Sequence, residues 1–235
     1  MTTPTQFLRR TILGVLLATP EGRAHILSLM VAAEEGDEAG VFDRLIERMD
    51  DPKLRRVIGA HKADEERHAG LYRACLERNG LALDAVPDSL LIIREIARMA
   101  GGALGAGEAN AIASDEDVMN TYALLLAIEE RGVEQFPLIG AAFRRLGDHA
   151  TADTFDQVTR DERGHTKICR TLGRRYAPDD ATWERAATHY RRVEAEAFDR
   201  VGAAGLRYAW RQRLIQRGLK SIVRGRLGAL VPAVA

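Results

Sequence analysis

Asp64-Glu65-Glu66-Arg67-His68 and its second occurrence, Asp161-Glu162-Arg163-Gly164-His165, decide how this chain is read. Both spell Asp-Glu-x-x-His, and each lies within a long run of helical periodicity. Residues three apart share a helix face, so Glu65 projects with His68, and Glu162 with His165. About thirty residues before each phrase stands a Glu pair, Glu34-Glu35 and Glu129-Glu130. The segment from Ala33 to His68 is therefore paralleled, about 95 residues later, by the segment from Ile128 to His165.

Working outward, strand signals are nearly absent and helical periodicity dominates. After a break at Pro20-Glu21-Gly22, a first helix is expected from about Ala24 to Met49. Asp51 and Pro52 form an N-cap and first turn for a second helix, which Asn79-Gly80 stops near Arg78. A long connection follows, with a short helix near Asp88 to Met99 and a Gly/Ala stretch from Gly101 to Ala113. Ser114-Asp115-Glu116-Asp117 opens a third helix reaching about Leu146. Gly147-Asp148 turns into a fourth, reaching about Tyr176. Pro178-Asp179-Asp180 precedes a fifth, from about Thr182 to Arg200 or beyond. Two helical hairpins joined by a long crossover make an all-α fold with the connectivity of a ferritin-like four-helix bundle. The expected organisation is an N-terminal helix or arm (1–22), the bundle (23–177) and a C-terminal helical extension (178–235).

The apolar seams locate the acidic and imidazole groups. The second helix carries Leu54, Ile58, His61, Glu65, His68, Tyr72 and Cys75 at alternating spacings of three and four. The fourth carries Phe155, Val158, Glu162, His165, Cys169, Leu172 and Tyr176. In both, Glu and His replace core residues mid-seam, the address of an inward-facing site. Reading Val31, Glu35, Glu38, Phe42 and Leu45 as the seam of the first helix selects Glu35 over Glu34. Tyr122, Leu125, Glu129, Gly132 and Phe136 select Glu129 over Glu130. Aligning the repeat by its Glu pairs would match Glu35 with Glu130 instead, so Glu130 stands as the alternative. Counted from the turns at 1.5 Å per residue, Glu35 and Glu65 lie roughly 24 and 21 Å away, nearly level, and Glu129 and Glu162 match within a turn.

Four converging carboxylates are prohibitive to bury unless neutralised, and two divalent metal ions would neutralise them. Carboxylate oxygen with imidazole nitrogen suits iron or manganese. The candidate metal ligands are Glu35, Glu65, His68, Glu129, Glu162 and His165. Asp64 and Asp161 have two readings: orienting the ligand histidines, or surface ion pairing. The competing reading of the whole pattern, an ordinary bundle with surface Glu–Arg pairs, does not explain two Glu–His pairs inside apolar seams. His61 reads as a core histidine or a partner of the ligands. Cys75 and Cys169 read as small core fillers, and Tyr72 and Tyr122 as packing near the site.

From about Ala24 to Tyr176 the chain resembles the ferritin-like di-iron superfamily, nearest in layout to the rubrerythrins, through Glu35, Glu65, His68, Glu129, Glu162 and His165. The resemblance implies a non-haem di-iron oxidoreductase that reduces peroxide or oxygen, or oxidises ferrous iron, with two iron ions (or manganese) as cofactor. Glu65 and Glu162 would bridge the metals, with Glu35 and Glu129 as terminal ligands. The alternatives are an oxygenase acting on an organic substrate, and iron storage. The chain departs from rubrerythrins in lacking the four cysteines of a rubredoxin site. It also has Gly132 where they carry a further Glu; the pseudo-symmetric position on the first helix is Glu38. Expected partners are peroxide or oxygen, an electron-donor protein, and a second copy of the chain as a dimer.

Bulk properties restrict the rest. Lys plus Arg equal Asp plus Glu at 34 each, so no global field points to nucleic acid or membrane. Two cysteines fit a reducing compartment, and a cytoplasmic location is expected. Arg9-Arg10 before an apolar run from Ile12 to Ala18 reads as a packed helix or an export signal. After Asp199 the chain has no acidic residue, and arginines alternate with apolar residues up to Arg226. This basic end either packs on the bundle or a second subunit, or contacts an anionic surface.

Overall fold

The computed structural model describes residues 4–35, 38–99 and 112–230, with side chains for 10–35, 40–99 and 112–225. Among them are nine α-helices and no strand: α1 (Pro4–Leu17), α2 (Pro20–Glu34), α3 (Glu38–Arg48), α4 (Pro52–Arg78), α5 (Ile92–Met99), α6 (Asp115–Arg145), α7 (His149–Tyr176), α8 (Asp180–Arg211) and α9 (Leu214–Leu230). A single 3-10 turn, Asp88–Leu90, precedes α5.

Local chemistry sets these boundaries. Asp51 accepts the Lys53 N–H at 2.8 Å, with Pro52 in the first turn of α4. Ser114 and Asp117 cap α6 reciprocally. Gly147, with φ of 83°, makes the turn that releases Asp148 to cap α7 through the Thr151 N–H at 3.0 Å. Asp179 does the same for α8 at 2.6 Å to the Thr182 N–H.

One helix differs from expectation. Pro20 opens a helix rather than breaking one, since Thr19 caps it by accepting the Gly22 N–H at 3.2 Å. That helix ends at Glu34 and the chain resumes as α3 at Glu38, so the expected first helix is two. The intervening sequence holds Gly36, among the poorest helix formers. The fifth helix, expected to reach Arg200 or beyond, runs to Arg211, where Arg213 with φ of 61° turns the chain into α9. Most of the Gly/Ala-rich stretch lies outside the described residues.

The apolar interior forms two main layers. One gathers Leu27, Val31, Tyr72, Phe143, Phe155 and Val158. The other gathers Phe42, Leu45, Ile58, Tyr122, Leu125 and Cys169. Along the sequence, α4 and α6 pass from the second layer to the first, whereas α2–α3 and α7 pass from the first to the second. The Glu and His positions fall between the layers on every one of these helices. The flanking elements are packed against this frame. Trp183, at the start of α8, lies against Gly173 so closely that any Cβ there would strike its ring. Arg131 of α6 makes a bidentate pair with the buried Glu194 of α8, both bonds 2.9 Å. Gly218 lets α9 touch the backbone of α1 at Val15. None of the described helices is long and apolar enough to cross a membrane.

Candidate metal centre

Among the described residues, seven Glu and His side chains meet between the apolar layers. They form two groups whose oxygen or nitrogen atoms lie within 4.8 Å of one another: His61, Glu65, Glu129 and His165, and Glu34, Glu65, His68 and Glu162. At the roughly 2.0–2.2 Å ligand distance of a first-row ion such as zinc, opposed ligands stand about 4.2 Å apart, so each group is close to the span an ion needs. Glu65 belongs to both. Six of the seven are buried; Glu34 is half-buried.

The histidines aim one nitrogen inward. His165 Nδ1 lies 2.9 Å from Glu162 Oε2 and 3.1 Å from Glu65 Oε1. His68 Nδ1 lies 3.3 Å from Glu162 Oε1. Yet His68 Nδ1 and Glu65 Oε1 lack a hydrogen-bond partner of proper geometry while fully shielded. Buried polar atoms without well-formed hydrogen bonds, set among carboxylate and imidazole groups, fit a site able to hold a cation. The outward nitrogens are held crosswise: His68 Nε2 stands 3.3 Å from Asp161 of α7, and His165 Nε2 stands 3.4 Å from Asp64 of α4. Arg67 donates to both aspartates, at 2.6 Å to Asp64 and 3.1 Å to Asp161. The two readings of Asp64 and Asp161 are thus both realised. Each carboxylate orients the opposite helix's histidine and pairs with a surface arginine, leaving Nδ1 free for a metal.

Electrostatics show how the metal-free cluster balances itself. Burial opposes a charge on His68, but Glu162 and Glu65 outweigh it and raise its pKa to about 9. Burial likewise opposes protonation of His165, whose pKa is nonetheless raised by Glu129, Glu162 and Glu65. Burial, the Glu129 charge and the hydrogen bond to Glu129 push Glu162 up to about 7. Burial works against Glu129 too, yet hydrogen bonds from Glu162, His165 and His61 bring it down to about 2. Protons on imidazoles and on Glu162 therefore stand where metal charge would stand, and a metal entering must displace them.

Of the residues selected from the sequence, Glu65, His68, Glu129, Glu162 and His165 come together here. Glu35 does not. It is exposed and accepts a bidentate pair from Arg73 at 2.6 Å; the adjacent Glu34 takes its place. The seam that selects Glu35 continues through Glu38 and beyond, whereas α2 ends at Glu34 and α3 begins at Glu38, so its phase is carried from one helix into another. The repeat held the better signal: with Glu129 as the third-helix residue, pairwise alignment of the Glu doublets picks Glu34. Glu130 points away, to Arg191 at 2.7 Å and Arg170 at 3.1 Å. The Glu38 side chain lies outside the described residues. His61, read from the sequence as a core histidine or a partner of the ligands, stands among them. Its Nε2 lies 2.9 Å from Glu129 and 3.1 Å from Glu65, and its ring stacks on His165 with centroids 3.8 Å apart. Its place on the seam, one turn before Glu65, was the available signal.

Comparison with family models, with curated proteins and with solved structures returns no match for this chain. What stands is a helical protein with a buried His/Glu cluster able to hold metal.

Proposed function

We propose that this chain is a ferritin-like non-haem di-iron oxidoreductase, with one metal in each four-residue group and Glu65 and Glu162 between the metals. The observation that carries the reading is the sharing of Glu65 by two groups that together draw on α2, α4, α6 and α7. The order of the apolar layers supports it: α4 and α6 run the same way, which needs a crossover longer than a hairpin turn. Oxygen and imidazole donors without thiolate favour iron or manganese.

A reduced metal pair held by these residues would supply the electrons for reducing peroxide or oxygen. The chain's own residues prepare that chemistry. Asp161 and Asp64 accept from the outward Nε2–H groups and so fix the tautomers of His68 and His165. Those rings and Glu162 surrender their protons as metal enters. The apolar layers on either side keep water from the centre. Reducing equivalents come from a separate electron donor, or from ferrous iron itself when iron is the substrate.

Anaerobic Fe(II) titration tests this, followed by peroxide and oxygen in separate experiments. Two iron ions per chain, oxidised rapidly by one of the two oxidants, are expected. Uptake of many ions per chain would instead mean storage. No uptake would refute the reading.

A further inference from the structure

The carboxylate side of the centre is the floor of a cavity of about 270 Å³. Glu34, Glu65, Glu129 and Glu162 line it, and among the described residues no histidine does. The other walls are mostly apolar, with Met30, Leu91, Ile128, Phe136 and Phe198 among them. They come from outside the metal-bearing helices as well as from them. The 3-10 turn and α5, in the connection between α4 and α6, form one side, and α8 forms another.

Gly132 keeps the inner end open. A Cβ there would meet the Phe136 ring at 3.1 Å and Glu162 Cγ at 3.5 Å. This is the position at which the resemblance led one to expect a further Glu; the space is left instead to the cavity.

Neither peroxide nor ferrous iron accounts for such a chamber. At the roughly 30 Å³ that a water-sized group occupies in a liquid, it has room for about nine such groups, far more than two oxygen atoms need. A hydrated cation would lose its water against these walls at great cost. Away from the carboxylates, a polar group of the lining has no partner: Gln135 Nε2 is shielded from solvent and donates to nothing among the described residues. Arg131, also on the wall, is already engaged with Glu194 and Glu134 and lies 4.2 Å over the Phe198 ring. Gln135 stands six residues beyond Glu129 on α6, roughly 9 Å along the helix. An unpaired buried donor at that distance calls for an acceptor on a ligand whose remainder is hydrocarbon.

We infer that the cavity binds an apolar organic molecule of about nine non-hydrogen atoms, by the volume just given, with its hydrocarbon end against the carboxylates and a single acceptor at Gln135. Its role as the substrate of the centre rests on the two-metal reading; its binding does not, so the two fail separately. Octan-2-one, a ketone of that size, is the probe. Calorimetric titration into the full-length protein, metal-free and iron-loaded, should show one-to-one saturation in both, with the negative heat-capacity change of apolar burial. Val201→Trp, which fills the α8 side away from the ligands, should weaken binding at least tenfold while iron stoichiometry is unchanged. Gln135→Leu should weaken octan-2-one about tenfold yet leave binding of n-octane, which has no acceptor, within twofold. Absence of saturable binding to the wild-type protein overturns the inference, as does undiminished ketone binding by Gln135→Leu. Ketone binding by a protein that takes up no iron would support the cavity and refute the two-metal reading.

Discussion

The two halves of the repeat contribute unequally to one centre. The second half is continuous: α6 runs 31 residues unbroken and Glu129 at its middle is buried. In the first half α2 ends within the Glu pair, and Glu34, the counterpart of Glu129, sits half-buried at its last position. The first half compensates with an additional group. The offset of 97 residues that relates Glu65 to Glu162 places His61 opposite Val158, so only one half carries an imidazole there. The group holding His61, Glu129 and His165 is buried throughout, while the group holding Glu34 and His68 opens at one edge. The repeated motif thus yields two different groups, one buried throughout and one whose Glu34 is half-buried.

The largest effect should come from the residue the halves share. Glu65→Ala removes a ligand from both groups, and iron retained after desalting should fall to near zero by elemental analysis. If one ion per chain persisted, Glu65 would belong to one subsite only. Glu34→Ala touches only the group with His68, so it should leave one ion per chain, while Glu129→Ala should empty the group with His61. Equal losses in both would erase the distinction between the halves.

A smaller effect should appear in the pH dependence of the metal-free protein. His68 is raised from 6.5 to about 9, so the stability it contributes is complete below 6.5 and is lost as pH rises through 9. Glu162 is raised from 4.5 to about 7, so its contribution fades between those values in the same direction. The melting temperature without metal should therefore fall from pH 6 to pH 9.5. Metal requires the deprotonated ligands, so with anaerobic Fe(II) present the decline should flatten or reverse. Parallel declines with and without iron would show that these groups are not its ligands. The smallest effect belongs to Glu35→Ala. An exposed ion pair is worth about 0–1 kcal/mol, so the melting temperature should move by no more than about 4 °C and iron stoichiometry should not change.

The helical fold was legible because its punctuation is local. Asp51-Pro52, Ser114 to Asp117, Gly147-Asp148 and Asp179 each mark a boundary with their own side chains, and these boundaries hold. Mid-seam Glu and His on α4, α6 and α7 were legible for a related reason, since an unbroken helix carries its phase along the sequence. The choice between Glu34 and Glu35 was not legible from the seam, because α2 ends at Glu34 and the periodicity of α3 says nothing about the phase of α2. His61 was hard to weigh because a histidine on an apolar seam is usually satisfied by core partners. Here those partners are Glu65 and Glu129. The cavity could not be read from the sequence, since its walls come from α2, the 3-10 turn, α5, α6 and α8, which only tertiary packing brings together.

Anomalous diffraction at the iron edge, from crystals soaked anaerobically in Fe(II), tests the central claim most directly. Two peaks per chain are predicted, roughly 3.5–4 Å apart as in two-metal sites. Glu65 and Glu162 should lie between them, Glu34 and His68 beside one, and Glu129 and His165 beside the other. A single peak, or peaks beside Glu35 and other surface carboxylates with this cluster empty, would contradict it.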